Sequence, residues 1–406
     1  MPNPEVVTNY KDSDGVDLGK KLISKDYLIS VYPQIANQLI TPELWTWGLN
    51  QDFGGAGDNT TINRITPVTT LAGGSNWKQV SGGLSPAAIK TDGTLWTWGY
   101  NSYGNLGVND TTHRNTPVTT FAGGTNWKQV ASGTRHTAAI KTDGTLWTWG
   151  GGIDIYGALG TNDNTNRATP VTTFAGGTNW KQVYVFGVFT VAIKTDGTLW
   201  TWGRNAYGNL GTNDTAIRST PVTTFAGGTN WKQVSAGYIH CAAIKTDGTL
   251  WTWGNNAYGR LGTNDNTQRD TPVTTFAGGT NWKQVSCGGN YTAAIKTDGT
   301  LWTWGYNGYG NLGVNDNTHR NTPVTTFAGG TNWKQVSSGR FASTAIKTDG
   351  TLWTWGENTY GNLGTNGGGH RYTPVTTFAG GTNWKQVSGG SYITAAIKTS
   401  DDLIGI

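Results

Sequence analysis

From residue 44 onward apolar and polar residues alternate in short runs, the period-two pattern of half-buried strands. The run Leu-Trp-Thr-Trp-Gly begins at Leu44, Leu95, Leu146, Leu199, Leu250, Leu301 and Leu352, at spacings of 51, 51, 53, 51, 51 and 51 residues. A second run, Asn-Trp-Lys-Gln-Val, begins at Asn76, Asn126, Asn179, Asn230, Asn281, Asn332 and Asn383, and the two together hold all 21 tryptophans. Each unit predicts four strands. Lys-Gln-Val with its neighbours forms the first, and a glycine shortly after Val (Gly133, Gly187, Gly237, Gly288, Gly339) turns the chain. Thr-Ala-Ala-Ile-Lys-Thr is the second. Asp-Gly follows in six copies (Asp92-Gly93 to Asp349-Gly350), the pair that a two-residue type I′ hairpin prefers. Thr-Leu-Trp-Thr-Trp-Gly is the third strand, with Leu and Thr on one face and the tryptophans on the other. A long Asn/Gly/Tyr loop leads to Thr-Pro-Val-Thr-Thr, where a proline without a donor suits an outer edge. A period near fifty marks a repeat array. The expected fold is all-β: a seven-bladed β-propeller of four-stranded antiparallel blades.

The register of the repeats predicts how the ring closes. The first Leu-Trp-Thr-Trp-Gly has no inner strands before it, and Lys385–Val387 and Thr394–Thr399 have no such run after them. One blade must be shared between the chain ends, which hides edges that an open array would expose. Residues 44–406 are read as the propeller. Residues 1–43 stand outside the repeat as an arm, with a helix over Lys25–Val31 that Ser24 can cap and Pro33 should end. Tyr27, Leu28, Val31, Tyr32, Ile35 and Leu39 share one stripe at helical spacing. The arm is either a flap on the propeller or a segment for attachment or self-association.

The sequence Gly-x-x-His-Thr-Ala-Ala-Ile-Lys-Thr-Asp-Gly-Thr-Leu-Trp-Thr-Trp-Gly-x-Asn-x-Tyr-Gly-Asn-Leu-Gly, nearly complete at Gly133–Gly150 and Gly237–Gly262, resembles the regulator of chromosome condensation repeat. The resemblance covers about 360 residues and implies the seven-bladed propeller. Two departures tell against carrying over nucleotide-exchange activity. The family's usual Gln in Gly-Gln-Leu-Gly is Asn105, Ala158, Asn209, Arg260, Asn311 or Asn362, and these repeats are nearly identical to one another. Near-identical repeats behind a polar arm look like propellers of bacterial and tailed-phage genomes.

A formal charge of +5 and a pI near 9.0 invite an anionic partner. Of 29 cationic residues, however, 21 belong to three sevenfold sets: lysine before Gln-Val, lysine after Ala-Ile, and arginine before the Thr-Pro step. Charges spread in rings rather than clustered argue against nucleic-acid binding. Cys241 and Cys287 occupy non-equivalent positions and suggest neither a disulfide framework nor a metal site. No stretch approaches the roughly 18 apolar residues of a membrane span, and residues 1–20 lack the apolar core of a signal peptide. A soluble protein, virion-associated or cytoplasmic, is expected.

No catalytic constellation emerges. His113, His319 and His370 lie beside the loop arginines, and His136 and His240 follow the turn glycine, without a shared carboxylate or nucleophile. The Asn-Asp loops (Asn109-Asp110 and its counterparts) lack the carboxylate run of a calcium site and suit Asx-turns. The tryptophans suit blade packing better than sugar stacking. No enzyme activity, cofactor or metal is expected.

The repeats differ in the turn after the first strand and in the residue after Trp-Gly. In an antiparallel blade these positions open on one face, and the Asp-Gly turns and Phe-Ala-Gly-Gly-Thr-Asn connections on the other. Arg135, His136, Phe189, Arg204, Tyr238, His240, Tyr291, Arg340, Phe341 and Tyr392 are the expected ligand contacts on the varied face, being types that make contact anchors. The favoured function is non-enzymatic recognition of a protein or glycan, in a virion or surface adhesin held by residues 1–43. The alternatives are a guanine-nucleotide-exchange or chromatin-type regulator and a lectin with one sugar site per blade.

Overall fold

A computed structural model describes residues 42–71, 74–151 and 156–399. The expected helix at Lys25–Val31 lies outside these residues. Among the described residues, twenty-eight strands, from β1 (Pro42–Gly48) to β28 (Ile393–Thr399), form seven four-stranded antiparallel sheets. The first internal blade runs outward as β3 (Trp77–Ser81), β4 (Ala87–Lys90), β5 (Leu95–Gly99) and β6 (Arg114–Thr119). The closing blade has the predicted composition. Its order is β2 (Arg64–Thr69), β1, β28, β27 (Trp384–Gly389), so the C-terminal strands supply the inner half and the N-terminal strands the outer half. Blades are numbered I to VII here, from the β3–β6 sheet to the closing sheet.

The innermost strands surround an axial channel of about 240 Å³ lined by their Gln, Val and following residues, Ser in most blades. Each Gln reaches the next blade. Gln79 Nε2 donates to Val130 O at 2.7 Å, while Val130 N donates to Gln79 Oε1 at 2.8 Å. Equivalent bonds link the later blades, and Val80 N to Gln386 Oε1, at 3.0 Å, returns the belt to its start. The invariant Gln is therefore a circumferential staple.

Tryptophan fills the seams between blades. The second Trp of Leu-Trp-Thr-Trp-Gly is fully buried, and in six of the seven blades its indole N–H donates to a loop carbonyl of the preceding blade, as from Trp98 to Gly55 O at 3.0 Å and Trp149 to Asn105 O at 2.8 Å; Trp304 is the exception. The first Trp is half-buried. With the Trp of the innermost strand it encloses the lysine after Ala-Ile, whose ammonium sits 4.3 to 5.5 Å from ring centroids in all seven blades. Seven of the basic residues thus serve as packing groups.

Blade III departs from its neighbours at the first turn. Strand β11 (Trp180–Phe186) runs to Phe186, which pairs with Phe189 at the start of β12 (Phe189–Lys194). Only Gly187 and Val188 are left to turn the chain, and Gly187 takes a left-handed φ of +59°.

Candidate recognition face

The long third loop is built around one asparagine. In blade I the buried Asn101 donates through Nδ2 to Asp110 O at 3.0 Å and accepts from Leu106 N at 2.9 Å, cross-bracing the loop. Asn109 adopts a φ of +67°, and Asp110 Oδ1 accepts from Thr112 N at 2.9 Å in an Asx-turn. The other oxygen of Asp110 pairs with Arg114 at 2.5 Å. The pattern repeats at Asp163–Arg167, Asp214–Arg218, Asp265–Arg269 and Asp316–Arg320, with Asp58–Arg64 in the closing blade. Burial opposes ionisation of Asp110, but hydrogen bonds from the Thr112 backbone amide and the Arg114 side chain, with the Arg114 charge, hold it below the usual carboxylate range. The loop aspartates are thus committed to folding their loops, and six of the seven loop arginines are neutralised locally.

The ten sequence-predicted contacts divide by position within the turn. Arg135, Arg204, Arg340, Phe341 and Tyr392 are partly exposed and Tyr238 is 51% exposed. His136, Phe189, His240 and Tyr291 are buried, at 0 to 1% exposure, and do not belong to the surface. The reason is their register. They open the second strand, which packs between neighbouring blades on both of its faces, and their equivalents Pro86, Ala342 and Ile393 are buried too. His136 Nε2 meets Thr190 Oγ1 of blade III at 2.8 Å, and His240 Nε2 meets Thr292 Oγ1 of blade V at 3.0 Å. Tyr291 donates to Ala342 O at 2.7 Å and accepts from Ser343 Oγ at 2.9 Å. These polar groups staple blades together. Burial lowers His136 to about 4, and burial with the nearby Arg260 charge puts His240 well below its ordinary value.

The six surface residues fall in two groups. On blades II to IV, Arg135, Arg204 and Tyr238 line a small cavity of about 60 Å³ with Tyr156, Tyr207 and the edge of Phe189, and the Arg204 guanidinium lies 5.1 Å from the Tyr156 ring centroid. On blades VI and VII, Arg340 donates to the Tyr392 hydroxyl at 2.6 Å and lies 5.2 Å from its ring and 5.0 Å from Phe341. Burial raises the Tyr392 phenol above its ordinary range although Arg340 opposes the shift.

Sequence reasoning missed the residues that join these groups. Every third loop carries an aromatic residue at one equivalent position: Phe53, Tyr103, Tyr156, Tyr207, Tyr258, Tyr309 or Tyr360, each at least partly exposed. Six contact a varied residue of the following blade: Phe53 with Tyr100, Tyr103 with Arg135, Tyr156 with Arg204, Tyr258 with Tyr306, Tyr309 with Phe341, and Tyr360 with Tyr392. The face is therefore a circle of constant aromatics, each set beside a different neighbour. Its signal was the Asn-x-Tyr-Gly run, passed over because a search for differences discards what is shared.

This architecture defines a closed seven-bladed propeller with one uniform and one individualised face. The RCC1-like domain family matches residues 38–326 and 151–406, and the chain belongs to that family. It is 34% identical over 246 residues to the ultraviolet-B receptor UVR8 of Arabidopsis thaliana, a match covering 59% of this chain and 55% of the receptor. With the human E3 ubiquitin-protein ligase HERC2 it shares 28% identity over 236 residues, 57% of this chain and 5% of the ligase. The chain thus matches about half the length of the first relative and a small part of the other. Among solved structures, human WBSCR16 superimposes with a TM-score of 0.77 at 20% identity, covering 89% of this chain and 100% of that one. Prp20p of Saccharomyces cerevisiae, studied for its binding to Gsp1p and histones, gives 0.76 at 16% identity, covering 90% and 93%. Both show the same fold.

Proposed function

We propose that this chain is a non-enzymatic recognition propeller that binds a protein partner through the face formed by the first turns and third loops. The observation that carries the reading is the Arg340–Phe341–Tyr392 cluster: a guanidinium held between two rings, bonded to one of them, and partly exposed. Rigid aromatic and Arg anchors of this kind carry most of the energy in protein interfaces. That UVR8 is a receptor and Prp20p binds proteins agrees with a family scaffold used for recognition. The setting proposed is a virion or surface adhesin in which residues 1–43 attach the propeller. Alanine at Arg340, Tyr392, Tyr238 or Arg135 should cost more than about 1 kcal/mol of partner affinity at two or more positions. Unchanged affinity at all four would reject the face.

A second reading, glycan binding at one aromatic platform per blade, draws on the seven equivalent loop aromatics. It predicts several equal weak sites in a sugar titration, whereas the protein-binding reading predicts one site of high affinity.

A further inference from the structure

The opposite face has a chemistry of its own. The connections between blades and the Asp-Gly turns lie together there, as the bond from Trp127 N to Gly93 O at 3.0 Å shows. The second residue after each outer strand is a large apolar group left in solvent: Leu71 after β2 and a phenylalanine in the other six blades, Phe121 to Phe378, all 65 to 66% exposed. Nearer the axis every innermost strand projects an exposed lysine, Lys78 to Lys385. Three of them, Lys78, Lys334 and Lys385, share with Gln335 and Gln386 a cavity of about 420 Å³ beside Pro42 at the start of β1 and Ile397 of β28. Among the described residues none of these seven ammonium groups has a hydrogen-bond or ion-pair partner, unlike the lysines between tryptophans and six of the loop arginines. The six exposed aspartates of the Asp-Gly turns share this face, but they accept from the following Thr within their own turns, as Asp92 does from Thr94, and among the described residues form no ion pair with the seven lysines. A rim of apolar rings thus encircles a lysine collar whose charge they do not pair.

We propose that this face docks on an acidic lipid surface. Charge complementarity selects an anionic occupant and disfavours a second copy, because stacking two such faces would oppose two lysine collars. The apolar rim selects an occupant with an apolar interior that rings can enter, and aromatic side chains with basic groups on one face are the pattern of interfacial binding. Symmetry selects the shape. The near-sevenfold repeat sets equivalent rings at one height about the axis, so all can meet a plane together, while an irregular protein surface could engage only some of them. The docking is independent of the recognition assigned to the other face, and it would present that face away from the membrane.

The test is flotation of the full chain with phosphatidylcholine vesicles and with vesicles containing on the order of one-third phosphatidylserine. Retention is expected on the acidic vesicles only, declining as salt is raised. The triple variants Phe121→Ser/Phe225→Ser/Phe327→Ser and Lys128→Gln/Lys232→Gln/Lys334→Gln should each weaken it at least ~10-fold, with melting curves confirming that they fold. Arg135→Gln/Arg204→Gln/Arg340→Gln removes the same charge from the other face and should leave retention unchanged. Absent retention, equal retention on neutral vesicles, or indifference to both triple variants would overturn the proposal. So would binding to soluble polyglutamate without vesicles, which would mark an acidic protein partner, or larger assemblies abolished by the phenylalanine variant without vesicle binding, which would mark self-association.

Discussion

Gln386 accepts a hydrogen bond from the Val80 amide at 3.0 Å across 306 residues of sequence, and this bond fastens the last inner strand to the first. Because Gln335 to Val387 and Gln284 to Val336 are joined the same way, the closing seam is held like an internal one. Gln386→Ala and Gln284→Ala should each cost about 1 to 3 kcal/mol, since two bonds are lost and a neighbouring amide is left unpaired. Urea unfolding of both variants measures this. Deleting residues 385–406 removes β27 and β28, leaving β1 and the seam around Trp47 uncovered. Cooperative melting of that truncation near the full-length temperature would contradict the closure.

Acid should loosen the ring before it protonates the carboxylates. An unfolded histidine takes a proton near 6.5, whereas buried His136 does so only at about 4. Between these values the unfolded state binds more protons, so stability is complete above pH 6.5 and falls as pH drops toward 4. The loss from His136 approaches about 3 kcal/mol, and His240 adds to it in the same direction. Phe189 fills the equivalent site in blade III, so His136→Phe/His240→Phe should flatten the profile across this window. An equally steep profile in the double variant would show that other groups set it.

Cys241 and Cys287 are free and fully buried, and burial pushes the Cys287 thiol up to about 12. Cys241 faces the seam between blades III and IV and Cys287 the seam between blades IV and V, so neither should react with a thiol reagent until its seam opens, and labelling should follow global unfolding in urea. Fast labelling of the native protein would reveal local opening there.

The fold was legible because tight repetition exposed its unit. Asp-Gly marked the hairpins but not their turn type: Gly93 N donates to Lys90 O and only the glycine is left-handed, so Thr91-Asp92 form the turn and Gly93 follows it, a three-residue loop in place of the expected two-residue type I′. The Thr-Pro step marked the outer strand, and the missing partners of Leu44–Gly48 marked the shared blade. The face was legible only in part. Variation located the turns, but it could not say where a turn ends and a buried strand begins, so His136, Phe189, His240 and Tyr291 were grouped with surface neighbours one residue away. Constancy hid as much as it showed. The loop tyrosines and the exposed phenylalanines recur as the same letter in six repeats and the Gln belt in all seven, yet the first two reach solvent and the third holds the ring together.

If partners approach the individualised face, site-specific photo-crosslinking in the native host should capture them there. A photoreactive phenylalanine analogue would replace Tyr238 or Tyr392 on that face, and Asp196 in an Asp-Gly turn on the other. The expected result is the same discrete protein adduct from Tyr238 and Tyr392, lost on adding Arg340→Ala, and none from Asp196. A discrete protein adduct from Asp196 with none from the other two positions would contradict it.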